Sequence, residues 1–237
     1  MQKLTLGLVI AAPVKDNIFL EAEKYASADV DILLFPEGYI TYDMIDRLKD
    51  LARDSRKWIV AGVDDTRDAV KKQAAVIIDA DGNIVGEHIK SSVTSWEAER
   101  GYAGGDSIQV IDTPLGKIGL AICYELHFPE VARILALQGA EIIFNQIGTG
   151  MWNETQFSVW NSIARTRAFE NLVFVAGVSH YSDAIPLAFA YAPNGDCLIS
   201  IRGENRLIKV VLDPEKYPKN RKLLDRRPEL YKGIAEA

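Results

Sequence analysis

The chain has little of what builds disulfide frameworks and metal centres. Its 237 residues contain two cysteines, Cys123 and Cys197, and three histidines, His88, His127 and His180. The cysteines lie far apart and show no C-x-x-C spacing, so neither a metal site nor a stapled secreted domain is expected. Reduced thiols suit the cytoplasm. No apolar stretch approaches the ~20 residues that cross a bilayer. The N-terminal "MQKLTLGLVIAAPVKD" carries a lysine and a short apolar run but no clear A-x-A site, and it reads better as a buried first strand than as a signal peptide. Charge of neither sign is concentrated. The formal net charge is −6, and the densest basic stretch, "KNRKLLDRRP" at 219–228, reads as a solvated segment. A nucleic-acid or anionic-membrane partner is therefore not expected. Internal repeats, low-complexity tracts and Ser/Gly linkers are also missing, which predicts one domain over 1–237.

What remains is ordinary globular composition, 48% apolar and 25% charged, on a chain long enough for a sizeable core. Apolar runs alternate with amphipathic stretches. Strands are predicted at 3–12, 29–37 and 57–64. Helical spacing follows the first two, through Ile18, Ala22, Tyr25 and Ala26, and through Met44, Ile45, Leu48, Leu51 and Ala52. Asp81-Gly82-Asn83 and Asn194-Gly195 between apolar runs are hairpin signals. Two more strands surround Pro114-Leu115-Gly116 within 107–123. A helix at 129–139 has Pro129 near its start and Gly139 at its C-cap. A strand at 140–146, a long helix at 153–171, and strands at 172–180 and 207–213 complete the pattern. Several strands are apolar throughout, so both faces are buried. Periodicity alone leaves two packed, helix-covered sheets and a single doubly wound sheet equally open.

Three polar residues close apolar runs. Glu37 ends "ILLFPE", Lys90 ends "NIVGEHIK" and Cys123 ends "KIGLAIC". Each has an ordinary reading: a helix-entry charge, a solvated lysine, a packed thiol. Together they have a chemical one. A carboxylate can take a thiol proton, the thiolate is a nucleophile, and an ammonium can hold negative charge developing on a substrate. No Cys-His signature surrounds Cys123, so a glutamate has to serve as base.

These residues and their flanks, "LLFPEGY", "EHIKSSV" and "GLAICYELHFPE", resemble the Glu-Lys-Cys triad of the nitrilase superfamily, the carbon–nitrogen hydrolases. The family pattern at the nucleophile runs roughly Cys-Tyr-Asp-x-Arg-Phe-Pro-Glu; Glu125 here replaces the aspartate and His127 the arginine. "GAEIIFNQ", "VWNSIARTRAFENLVFVAGVSH" and "RRPELY" are similar to later family segments, so the resemblance covers nearly the whole chain. It implies an α/β fold, the α-β-β-α sandwich, paired through its helices into a homodimer or higher homo-oligomer. It also implies a second glutamate between lysine and cysteine. In "SWEAERGYAGGD" Glu99 is the expected residue and Glu97 the rival.

The implied chemistry is hydrolysis of a non-peptide carbon–nitrogen bond in a small-molecule amide through a thioester on Cys123, without metal or organic cofactor. Glu37 would be the base. Lys90 and the Tyr124 backbone N–H would hold the oxyanion, and Glu99 would orient Lys90. Tyr39, Trp96, Tyr124, Asn145 and Gln146 are pocket candidates, with Tyr124 and Gln146 placed at the substrate. An N-carbamoyl amine or a nitrile is an alternative substrate, and an amine an alternative acyl acceptor to water. A catalytically silent binding protein and a redox-sensing thiol protein are the alternatives outside hydrolysis.

Overall fold

The computed structural model describes residues 1–12, 23–180, 184–203, 206–217 and 222–236. One sheet contains β1 (Leu4–Ile10), β2 (Ile32–Leu34), β3 (Ile40–Thr41), β4 (Trp58–Asp65), β5 (Lys72–Ile78), β6 (Ile84–Ile89) and β13 (Arg206–Leu212). Their order is β13-β1-β2-β4-β5-β6, with β3 beside β4. The other contains β7 (Ile111–Thr113), β8 (Gly116–Leu120), β9 (Ile142–Ile147), β10 (Phe174–Ser179), β11 (Leu187–Tyr191) and β12 (Cys197–Arg202), ordered β12-β11-β10-β9-β8-β7. Each sheet has a parallel centre, β1-β2-β4 in one and β8-β9-β10 in the other, flanked by antiparallel strands.

Strand alternation decides between the two arrangements left open by periodicity. Leu4, Leu6, Leu8 and Ile10 of β1 share a core with Ile118, Leu120, Ile142, Phe144, Ala176 and Val178 of the second sheet. Val9, Leu33, Ile59 and Val76 face the other way, onto Ile45, Leu48 and Ala52 of α1 (Ile45–Ser55). In the second sheet Ile143, Ile147 and Val175 pack on Val131 and Leu135 of α3 (Pro129–Leu137) and on Trp160, Ala164 and Ala168 of α4 (Glu154–Asn171). A period of two with both faces apolar needs a layer on each side. The result is an α-β-β-α sandwich with three apolar layers.

The punctuation follows local chemistry. Asn153 caps α4 by accepting the Gln156 N–H at 2.8 Å, a typical N-cap bond. Pro129 is the first residue of α3, and Gly139 takes the left-handed conformation (φ 95°) one residue past the Gln138 C-cap, not at the cap itself. In the β5–β6 turn the Asp79 carboxylate accepts the N–H groups of Asp81 and Asn83 while Gly82 adopts φ 83°. The helix expected over Ile18 to Ala26 falls largely on residues 13–22, outside the described residues. One short helix, α2 (Ser95–Glu99), carries no readable period. Its signal is a capping box, Thr94 with Glu97.

Candidate active site

Parallel strands end together, so residues just past their C-terminal ends meet. Glu37 follows β2, Lys90 follows β6, Cys123 follows β8, and all three converge between the sheets. Lys90 Nζ donates to Glu37 Oε1 at 2.8 Å and to Glu97 Oε1 at 2.5 Å. The Cys123 thiol lies beside the Glu37 carboxylate, close enough for each to shift the other's pKa. Lys90 is 0% exposed and Glu37 5%, so this is a buried ionic cluster, tolerated only because each charge has a partner.

Glu97, not Glu99, is the second glutamate. Residues two apart on a helix point to nearly opposite sides, so one at most can reach Lys90. Glu97 is buried and Glu99 is exposed. The capping box fixes the choice. Glu97 Oε2 accepts the Thr94 N–H at 2.6 Å, the Glu97 N–H donates to Thr94 Oγ1 at 3.2 Å, and Oε1 is left for Lys90. Glu99 is thereby corrected to a solvent-facing residue.

The backbone around Glu37 is held from both sheets. The Gly62 N–H on β4 donates to Pro36 O and the Tyr39 N–H to Gly62 O, both at 3.0 Å. From the second sheet, the buried His180 ring donates from Nε2 to Glu37 O at 2.5 Å; burial pushes its pKa down, keeping the ring neutral. Gly148, just past β9, approaches so closely that a Cβ there would collide with Glu37 Oε2. Gly148→Ala is therefore expected to displace the carboxylate and lower kcat by about 100-fold, the scale of a misplacement near 1 Å. Steady-state kinetics of a variant shown to be folded by circular dichroism checks this.

Cys123 sits at φ 49°, in the left-handed region, at the start of a 3-10 turn, Cys123–His127. A cysteine there costs roughly 1–2 kcal/mol, and such strain persists only where the surroundings impose it. Asn145 imposes part of it. Its Nδ2 donates to the carbonyls of Ala121 (2.6 Å) and Cys123 (3.2 Å), and its Oδ1 accepts from Trp160 Nε1 at 3.1 Å. Arg167 adds more, donating to the carbonyls of Leu126 and His127 at 3.1 and 2.8 Å. Neither role is readable from sequence without knowing which turn needs holding.

The electrostatics set a resting state. Burial and the Glu37 charge raise the Cys123 pKa, against the lowering effects of Lys90 and of the Gly148 N–H. Burial also raises Glu37, outweighing the Lys90 charge. For Lys90 desolvation is outweighed by the Glu37 charge and by hydrogen bonds to Glu37 and Glu97, so its pKa is raised and it stays an ammonium. The proton therefore rests on sulfur with a carboxylate of raised basicity beside it, which suits a base that must later return the proton.

The other pocket candidates divide. Tyr39 is packed against the Phe35 ring at 4.5 Å and is 1% exposed. Trp96 is 60% exposed, beneath the Arg100 guanidinium. Asn145 holds the turn. Tyr124 exposes its ring at the surface, edge-on to Phe128, while its N–H lies in the first turn, where amides have no acceptor within the helix. Gln146 is fully buried with neither amide atom bonded. By strand alternation it faces the inter-sheet side, two residues before Gly148. Among the described residues no group of His, Cys, Asp and Glu has a metal-binding arrangement.

A family model for carbon–nitrogen hydrolases matches residues 10–213. The chain belongs to the carbon–nitrogen hydrolase family. A deaminated glutathione amidase of Dictyostelium discoideum is 30% identical over 155 residues, 59% of this chain and 52% of that protein. The chain thus matches about half the length of that relative. An omega-amidase of Bos taurus is 26% identical over 215 residues, 82% of this chain and 76% of its own. A carbon–nitrogen hydrolase of Helicobacter pylori has the same fold, with a TM-score of 0.88 at 19% identity and 99% coverage of both chains.

Proposed function

We propose that this carbon–nitrogen hydrolase is an amidase that cleaves small carboxylic amides through a thioester on Cys123. The observation that carries the reading is one buried lysine shared by two carboxylates, with the Cys123 thiol beside one of them. Amidases among the relatives support the bond type. The near-complete burial of Glu37, Lys90 and Glu97 favours a small acyl group. Lys90 is already shared and Arg167 is held by carbonyls and by Glu170 at 3.0 Å, which favours an uncharged amide over one bearing a carboxylate.

Glu37 takes the Cys123 proton as sulfur bonds to the amide carbon. The oxyanion so formed is held by Lys90 and the Tyr124 N–H, and loss of one such donor typically costs roughly 3 kcal/mol of barrier. The carbon–nitrogen bond breaks as Glu37 returns its proton to the amine, leaving a thioester. Glu37 then takes a proton from water, the hydroxide displaces sulfur, and the carboxylic acid leaves as Cys123 regains a proton. Glu97 keeps Lys90 charged and in place throughout. Gln146 is assigned to a polar group of the substrate or of an internal water.

The test is intact-protein mass spectrometry with a panel of small amides, carbamoyl amines and nitriles, beside Cys123→Ala, with ammonia measured in parallel. Acyl adduct and ammonia from wild type alone are expected, with amides the best substrates. Ammonia from Cys123→Ala at the wild-type rate removes the assignment of the nucleophile.

A further inference from the structure

The mechanism uses one glutamate on each side of Lys90 and leaves a third buried carboxylate without a task. Glu125 is 0% exposed, and its two oxygens are saturated with donors. Oε1 accepts the Ser91 N–H at 2.7 Å and the Ser91 hydroxyl at 2.6 Å. Oε2 accepts the Ile122 N–H at 2.6 Å and His88 Nε2 at 2.9 Å. The positions of these donors matter more than their number. His88 and Ser91 flank Lys90 on the first sheet, while Ile122 and Glu125 itself flank Cys123 on the second. β6 and β7 are edge strands, so no backbone ladder joins the lysine strand to the cysteine turn.

We infer that Glu125 and His88 form a positioning pair that holds the Cys123 turn against Lys90. The inference rests on the amidase reading for its purpose and on the hydrogen bonds for its geometry. A carboxylate with four donors is rigid, since moving it breaks several charge-assisted bonds at once. The Ile122 N–H bond fixes the residue immediately before the strained Cys123, and the His88 and Ser91 bonds fix the residues on either side of the lysine. His88 is buried on a strand whose other residues are exposed or half-buried, consistent with a ring placed for this contact. Burial raises the Glu125 pKa, but His88, Ser91 and the Ile122 N–H outweigh it, and the net direction is down. The carboxylate stays ionised and remains an acceptor to all four.

The test measures Cys123 reactivity without requiring a known substrate. In a Cys197→Ser background, the mass gained from iodoacetamide at neutral pH reports Cys123 alone. His88→Phe keeps a ring and removes the donor. His88→Gln supplies an N–H donor again. Ser91→Ala removes one hydroxyl donor at a half-buried site and decides the matter should His88→Phe not fold. Alkylation is expected to slow by about tenfold or more in His88→Phe, as the thiol leaves Glu37, Lys90 and the Gly148 N–H. It is expected to recover to within about threefold in His88→Gln and to slow by a few-fold in Ser91→Ala. A merely structural role predicts the opposite: a lower melting temperature with alkylation unchanged, or faster through exposure of the thiol. Wild-type or faster alkylation in both His88→Phe and Ser91→Ala, or in Ser91→Ala alone where His88→Phe does not fold, overturns the pair, as does His88→Gln behaving like His88→Phe. A protein that shows the slowing yet hydrolyses nothing in the amide panel refutes the amidase reading and keeps the pair. Normal hydrolysis with unslowed variants does the reverse.

Discussion

Glu37→Gln is expected to abolish amide turnover, with kcat falling by about 10³–10⁴-fold, the upper range for losing a positioned acid–base group, and the fold intact. The substitution keeps volume and keeps an oxygen for Lys90, which remains paired with Glu97 at 2.5 Å. What disappears is the group that moves the proton. Three steps need it: removal of the Cys123 proton, protonation of the leaving amine and activation of water. An activated ester of the same small acid separates the last two, because its leaving group departs without a proton. In Glu37→Gln no base takes the thiol proton, but the charge that helps hold it there is also gone; the thiolate fraction, with Lys90 and the Gly148 N–H beside it, is expected to attack such an ester slowly and then stop. The thioester persists because no base remains to activate water. Intact mass after mixing shows this as a stable acyl adduct in the variant and a transient one in wild type. Near-normal amide turnover in the variant sinks the assignment of Glu37 as base.

That a single glutamate can be named so specifically reflects what was legible in the chain. Glu37, Lys90 and Cys123 each close an apolar run, and strands that end together bring such residues together. The long helix expected at 153–171 and the hairpins at Asn83 and Asn194 were readable from strong local signals, and the structure moves Asn153 from the helix to its N-cap. The arrangement of two sheets was not legible in periodicity, because a strand apolar on both faces looks alike in either architecture; the family resemblance supplied it. The second glutamate was misplaced for a subtler reason. Glu97 and Glu99 both precede the Arg100-Gly101 turn, and their spacing from Lys90 differs by only two residues. The deciding feature is Thr94, whose side chain and backbone pair with Glu97 and start the helix there. A four-residue capping box outranks any count from the lysine. The duties of Asn145, His180 and Arg167 depend on carbonyls left free by a left-handed cysteine and by a loop end. Those needs exist only once the chain is folded, so no spacing in the sequence announces them.

Lys90→Met carries the other large effect, and it falls on stability as much as on rate. Removing one member of a buried ion cluster leaves its partners uncompensated, typically at roughly 3–5 kcal/mol. Here two carboxylates, Glu37 and Glu97, lose the ammonium between them. Neither has water to replace it, since Glu37 is 5% and Glu97 7% exposed. Like charges in a dry site raise each other's pKa, and Glu37 is already raised by burial with the lysine present. The sign of the pH dependence follows. An acid whose folded pKa lies above its unfolded value binds more protons in the folded state, so stability is gained as pH falls through the folded pKa. Lys90→Met is therefore expected to melt well below wild type at pH 8 and to recover part of the difference at pH 5, where the carboxyls take up protons. Replacing Glu97 with Gln in the same background removes one of the two repelling charges and is expected to restore stability at pH 8, while turnover stays absent for want of the oxyanion donor. Thermal melts of the single and double variants at both pH values check this. A Lys90→Met protein as stable as wild type at pH 8 shows that the ammonium does not hold the two carboxylates together.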